Sequence, residues 1–143
     1  MYELARRQPG GPVTLKDIAQ SQGLSLNYLE QLFRPLKRAG LVSSTRGVHG
    51  GYSLGRKPDS ITVGDVVRVL DGPLAPSDCV LPGLSGAERC GNSSSCVAHG
   101  VWEKVRDAIE AVLDGISLES LLADGENVPA DGEAARPAKE WKC

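Results

Sequence analysis

No stretch of the chain stays apolar for the about 18 residues a membrane-spanning helix needs, and its N-terminus lacks the charged-then-apolar layout of a secretory signal. The expected location is therefore the cytoplasm, with no membrane partner. Length is short as well: 143 residues with 41% hydrophobic content suit one compact domain with appendages, not two independent cores. Net charge is almost missing, at −2 overall.

The charge that exists is unevenly spread. Residues 1–57 carry nine Lys/Arg against three acids, a net of +6, which leaves −8 for the remainder. A basic half on an acidic whole points the first half toward a polyanion. A reducing cytosol disfavours structural disulfides, so the four cysteines are left with metal binding, redox sensing or inert burial.

Local signals divide the chain. Met1–Arg7 resembles the tail of a helix that ends at the turn Pro9-Gly10-Gly11-Pro12. Thr14 with Asp17 predicts a helix N-cap leading to Leu15, Ile18 and Ala19, with a stop near Gly23. Ser25 caps a second helix, on which Leu26, Leu29, Leu32, Phe33 and Leu36 recur at spacings of three and four. Pro35 inside that pattern predicts a bend or a new turn, and Gly40 suits the position after the helix end.

Two strand-like runs follow, Gly40–Ser44 and Gly51–Leu54, joined by a glycine-rich basic segment that reads as a wing. Thr62 with Asp65 opens a short helix ending at Asp71-Gly72-Pro73. Residues 75–95 read as a long loop, and Cys96 opens an amphipathic helix bearing Val101, Trp102, Val105, Ile109, Val112, Leu113 and Ile116. Ser117–Ala123 gives a last short turn. The expected organisation is a winged helix-turn-helix domain over 1–73, a cysteine-bearing sensor segment over 74–100, a dimerisation helix with its final turn over 96–123, and a disordered acidic tail over 124–143, where Trp141 and Cys143 are incidental. The fold class is mainly α, with a small β-hairpin wing and a long C-terminal dimerisation helix.

The major groove of DNA admits one helix and is read by side chains that donate and accept hydrogen bonds. Ser25, Asn27, Tyr28, Glu30 and Gln31 supply that chemistry on the first turns of the second helix. Arg34, Lys37 and Arg38, with Arg56 and Lys57, are placed to neutralise phosphates. Arg46, flanked in the wing by Gly47 and Gly50, is set to enter the minor groove. Taken singly, each of these is an ordinary solvated residue; helix, turn, polar helix and basic wing in this order predict binding of double-stranded DNA.

A second constellation is Cys79, Cys90, Cys96 and His99, spaced Cys-x10-Cys-x5-Cys-x2-His. Cys96 and His99 lie three apart on a helix and share a face. Four soft or borderline donors suit tetrahedral zinc or an iron–sulfur cluster equally, and unligated thiols remain the plain alternative. The spacing matches no common zinc module. A nucleophilic Cys96 activated by His99 would need an orienting acid or oxyanion motif, and none is visible.

Three segments, Ser25–Phe33, Arg46–Leu54 and Asp65–Pro73, resemble the IscR-like family of bacterial winged helix-turn-helix regulators, the group that includes NsrR and CymR. The resemblance runs from Met1 to about Ala123, with a first helix that is N-terminally short for the family. It implies a homodimer whose long helices pair, each wing and recognition helix meeting half of a palindromic operator. It also implies a [2Fe–2S] cluster on Cys79, Cys90, Cys96 and His99, with zinc as the alternative; the Cys79–Cys90 interval is longer than the family's usual one. The expected function is regulation of iron–sulfur assembly or sulfur and cysteine metabolism genes, not enzymatic. A zinc- or thiol-responsive regulator of the same fold is the alternative, and a thiol enzyme the outside one.

Overall fold

A computed structural model of the protein describes residues 1–47, 50–83, 90 and 95–126. Six helices run in the order α1 (Tyr2–Arg7), α2 (Leu15–Gln22), α3 (Leu26–Arg38), α4 (Val63–Leu70), α5 (Val97–Asp114) and α6 (Leu118–Glu126) among these residues. The hairpin strands β1 (Val42–Thr45) and β2 (Gly51–Leu54) lie between α3 and α4. The mainly helical fold with a small wing is the one the sequence predicts.

Hydroxyl caps set where the head's helices begin. Thr14 and Ser25 each accept a backbone N–H at 3.1 Å, from Asp17 and Tyr28. Thr62 and Asp65 form a reciprocal capping box at the start of α4. At the far end of α3, Gly40 adopts φ +72. Its N–H donates to the Lys37 carbonyl at 3.1 Å, while the Leu41 N–H donates to Leu36 at 2.9 Å. This is a Schellman closure, sealed by the buried pair Leu36 and Leu41. It takes up Gly40 and Leu41, which is why β1 starts at Val42 and not at Gly40. Pro35 lies inside α3 without ending it: the helix runs on to Arg38, and the Pro35 carbonyl accepts from Ala39.

The core gathers Leu4 from α1, Leu15 and Ile18 from α2, Leu29, Phe33 and Leu36 from α3, Leu41 from the α3 closure, and Val42 and Leu54 from the wing, together with Ile61 and Leu118. The strands pair antiparallel, with Val42 opposite Leu54 and Thr45 opposite Gly51. Val13, just before α2, extends this sheet by exchanging two 2.8 Å hydrogen bonds with Tyr52. Helix α6 packs on α1. Its last residues, 124–126, are helical although they fall in the segment assigned to the tail. The rest of that tail, with Trp141 and Cys143, and the middle of the sensor segment lie outside the described residues. No helix among the described residues is long and apolar enough to cross a membrane.

Candidate nucleic-acid interface and sensor segment

Leu29, Phe33 and Leu36 bury one face of α3, so its other face must look outward. Asn27, Tyr28, Glu30, Gln31, Arg34, Lys37 and Arg38 are all exposed there. Ser25 is exposed too, but its oxygen is occupied in capping α3, which makes its first role structural. Lys37 is likewise engaged: its ammonium donates to Ser44 Oγ on β1 at 2.5 Å, tying the recognition helix to the wing. Buried Phe33 and half-buried Tyr52 make the apolar counterpart of that tie, with ring centroids 5.0 Å apart and planes at 77°.

The wing's glycines are required by close approaches. A Cβ on Gly51 would stand 2.8 Å from the Val13 carbonyl oxygen, and one on Gly50 only 2.5 Å from that of Thr45. Gly47 holds φ +124, a conformation few other residues adopt. Arg46 is exposed at the tip of β1. Val48 and His49 lie outside the described residues. A groove of about 440 Å³ separates α2, α3 and the wing, lined by Thr14, Lys16, Glu30, Arg34 and Tyr52 among others. Lys16 was not anticipated as part of this surface; its only signal in the sequence is a base in the first turn of the helix preceding the recognition helix.

One acid in the head is buried. Glu3 accepts hydrogen bonds from Arg6 Nη2 at 3.0 Å and Arg7 Nε at 2.5 Å, and Ser21 approaches from α2. The hydrogen bond from Arg6 and then that from Arg7 hold its carboxyl below the ordinary value, against the opposing effect of burial.

The sensor residues are arranged more loosely. Cys90 and Cys96 are exposed and Cys79 is half-buried, all as free thiols. Cys79 lies in a turn over Asp78–Val80, with Ser77 Oγ 3.3 Å from its sulfur. Arg106 on α5 donates to the Val80 carbonyl at 3.0 Å and so fastens this turn to the helix. Cys96 is the N-cap residue of α5 but makes no side-chain cap. His99 Nε2 stands 3.5 Å from Glu103 Oε1, while Nδ1 is buried with no hydrogen-bond partner among the described residues. Among the described residues no three His, Cys, Asp or Glu side chains gather closely enough to hold a metal. The structure thus brings Cys96 and His99 to one end of α5 but does not converge all four expected donors. As chemistry, three thiols and an imidazole with an unpartnered nitrogen still match what a [2Fe–2S] cluster or zinc accepts.

A helix presenting polar and basic side chains, a preceding helix to brace it and a basic wing beside it define a winged helix-turn-helix DNA-binding regulator. The chain belongs to the Rrf2 family: the family model, described as an iron-dependent transcriptional regulator, matches residues 1–124. It is 48% identical over 128 residues to the HTH-type transcriptional regulator CymR of Bacillus subtilis, covering 88% of this chain and 85% of that protein. It is 44% identical over 126 residues to the HTH-type transcriptional regulator IscR of Aliivibrio salmonicida, covering 88% and 72%. Among solved structures, that of CymR (YrzC), titled the global cysteine regulator of B. subtilis, aligns with a TM-score of 0.68 at 46% identity over 86% of this chain and 87% of its own. That of T. potens IscR aligns at 0.66 and 44%, over 87% and 78%.

Proposed function

We propose that this transcriptional regulator, which is not an enzyme, acts as a homodimer on a palindromic operator and responds to an iron–sulfur cluster held by Cys79, Cys90, Cys96 and His99. Its targets are genes of iron–sulfur assembly or of sulfur and cysteine metabolism. Asn27, Tyr28, Glu30 and Gln31 read base edges from a helix that Ser25 caps, while Arg34, Lys37 and Arg38 contact phosphates. Arg46, with Gly47 and Gly50 allowing close approach, enters the minor groove.

The dimer is supported by α5, whose apolar stripe is left partly uncovered by the described residues: Val101 is 55% and Val112 60% exposed. Self-association through paired stripes removes that surface from water. The observation that carries the cluster reading is His99, whose buried Nδ1 lacks a hydrogen-bond partner among the described residues, one turn from a free Cys96 thiol. When bound, such a cluster supplies a redox-active, labile centre whose occupancy reports supply. The chain's own part is to hold two of the donors, Cys96 and His99, on the first turn of the helix that joins the DNA-binding heads.

Anaerobic purification followed by visible absorption and iron, sulfide and zinc analysis tests this. We expect a coloured protein with iron and sulfide in equal amounts, lost together in Cys96→Ala without loss of the dimer. A colourless protein with one zinc per chain would replace the cluster by a zinc-responsive site.

A further inference from the structure

Helix α5 turns into α6 at a corner that is stitched to the start of α4. The Val63 N–H donates to the Ile116 carbonyl and the Leu118 N–H to the Ile61 carbonyl, both at 2.9 Å, which pairs Thr62 with Ser117. Ile61 and Leu118 are buried there. Beside this seam Arg68 Nη2, near the end of α4, donates to Asp114 Oδ2 at 2.5 Å, at the last residue of α5. Gly64 lies buried beneath the pair: a Cβ there would come within 2.0 Å of Asp114 Oδ1 and 3.0 Å of Arg68 Nη1. Glycine is a poor helix former. At this position it makes room for the carboxylate.

We infer that the Arg68–Asp114 pair, seated over Gly64, sets the angle between α5 and the DNA-binding head and thereby the half-site spacing that the dimer accepts. This rests on the dimeric reading above. Arg68 and Asp114 are both substantially solvent-accessible, and such pairs add little to stability. Their effect is therefore directional. Asp65 and Glu110 also lie near Arg68, so without the Asp114 carboxylate the guanidinium has two other acids to turn to, and the corner loses its fixed side-chain strut. Leverage makes a small change matter. Eighteen helical residues span about 27 Å. Tilting such a rod by about 7° moves its far end by roughly the 3.4 Å rise of one base pair. With the two heads joined through their α5 helices, the same tilt alters the separation of the recognition helices.

The test uses the full chain and duplexes carrying two inverted copies of a half-site enriched by the wild-type protein from a randomised pool. The central spacer is lengthened or shortened by one and two base pairs. Wild type is expected to lose at least tenfold in affinity at the wrong spacing. Asp114→Asn and Gly64→Ala are expected to shrink that loss to threefold or less, with dimer mass and single half-site affinity unchanged. Asp114→Glu, which keeps a carboxylate within reach of Arg68, is expected to retain discrimination. Undiminished discrimination in both Asp114→Asn and Gly64→Ala would overturn the inference while leaving the dimeric reading intact. Enrichment of unpaired half-sites only, or a monomeric wild type, would overturn both.

Discussion

Helices α2, α3 and α4 each start on a capping hydroxyl, whereas α5, the longest helix among the described residues, starts at Cys96 with no side-chain cap and buries none of its residues. The head closes within the chain: its core draws on α1, α2, α3 and both wing strands, with Leu118 of α6 added. The arm carries an equally regular apolar stripe, of which Val101, Trp102, Ile109 and Val112 are left exposed by the described residues. The contrast teaches that helical periodicity marks a face to be buried without saying who buries it. In the head the partner is the same chain, and in the arm we assign it to a second copy.

The comparison can be broken first at the head. Phe33 is 3% exposed and contacts Tyr52 edge-on, so Phe33→Ala is expected to cost about 3–5 kcal/mol in chemical denaturation, enough to threaten folding of the domain. The matching substitution in the arm, Val112→Asp, is expected to leave the head's circular dichroism intact. It should raise the dimer dissociation constant by 100-fold or more, read by analytical ultracentrifugation, because it places a charge in the stripe. Equal effects of these two substitutions on monomer stability would erase the distinction between head and arm.

Smaller effects sharpen it. Glu3→Gln is expected to cost on the order of 1–2 kcal/mol at neutral pH, through weakened bonds to Arg6 and Arg7. Because the folded carboxyl titrates below its ordinary 4.5, the stability it contributes is complete above that pH and is lost as pH falls through the folded value. Melting curves of wild type and Glu3→Gln should therefore converge on acidification below pH 4.5. Ser25→Ala, which removes the α3 cap, is expected to cost about 1 kcal/mol in stability. Gln31→Ala, on the exposed face of the same helix, is expected to leave stability within about 0.5 kcal/mol while weakening operator discrimination, measured by competition binding.

Much of the head was legible because its determinants are local. Thr14, Ser25 and Thr62 each cap a helix from within three residues, and the leucines of α3 mark the buried face by their spacing alone. The polar face opposite them, from Asn27 to Arg38, followed from the same count. What escaped reading is contributed from afar. The Gln8 side chain accepts from the Leu54 N–H at 3.2 Å across 46 residues, and Val13 adds itself to the wing. Gly51 looks like one more flexible glycine until Val13 is seen 2.8 Å from where its Cβ would be. Lys16 joined the candidate DNA surface only once α2 was packed beside the wing. In the sensor segment, spacing singled out four candidate donors and put Cys96 and His99 on one helix face, while Arg106 reaching the Val80 carbonyl carried no sequence signal.

By itself, then, the sequence determined where helices start, which face of each is apolar, and that basic residues crowd one half of the chain, because these are properties of neighbours within one or two turns. Tertiary structure decided which glycines are obligatory, that Glu3 is buried under two arginines, and that Arg68 meets Asp114 at the corner where α5 leaves the head. Those facts depend on segments distant in the chain approaching to van der Waals contact, and no local spacing encodes that approach.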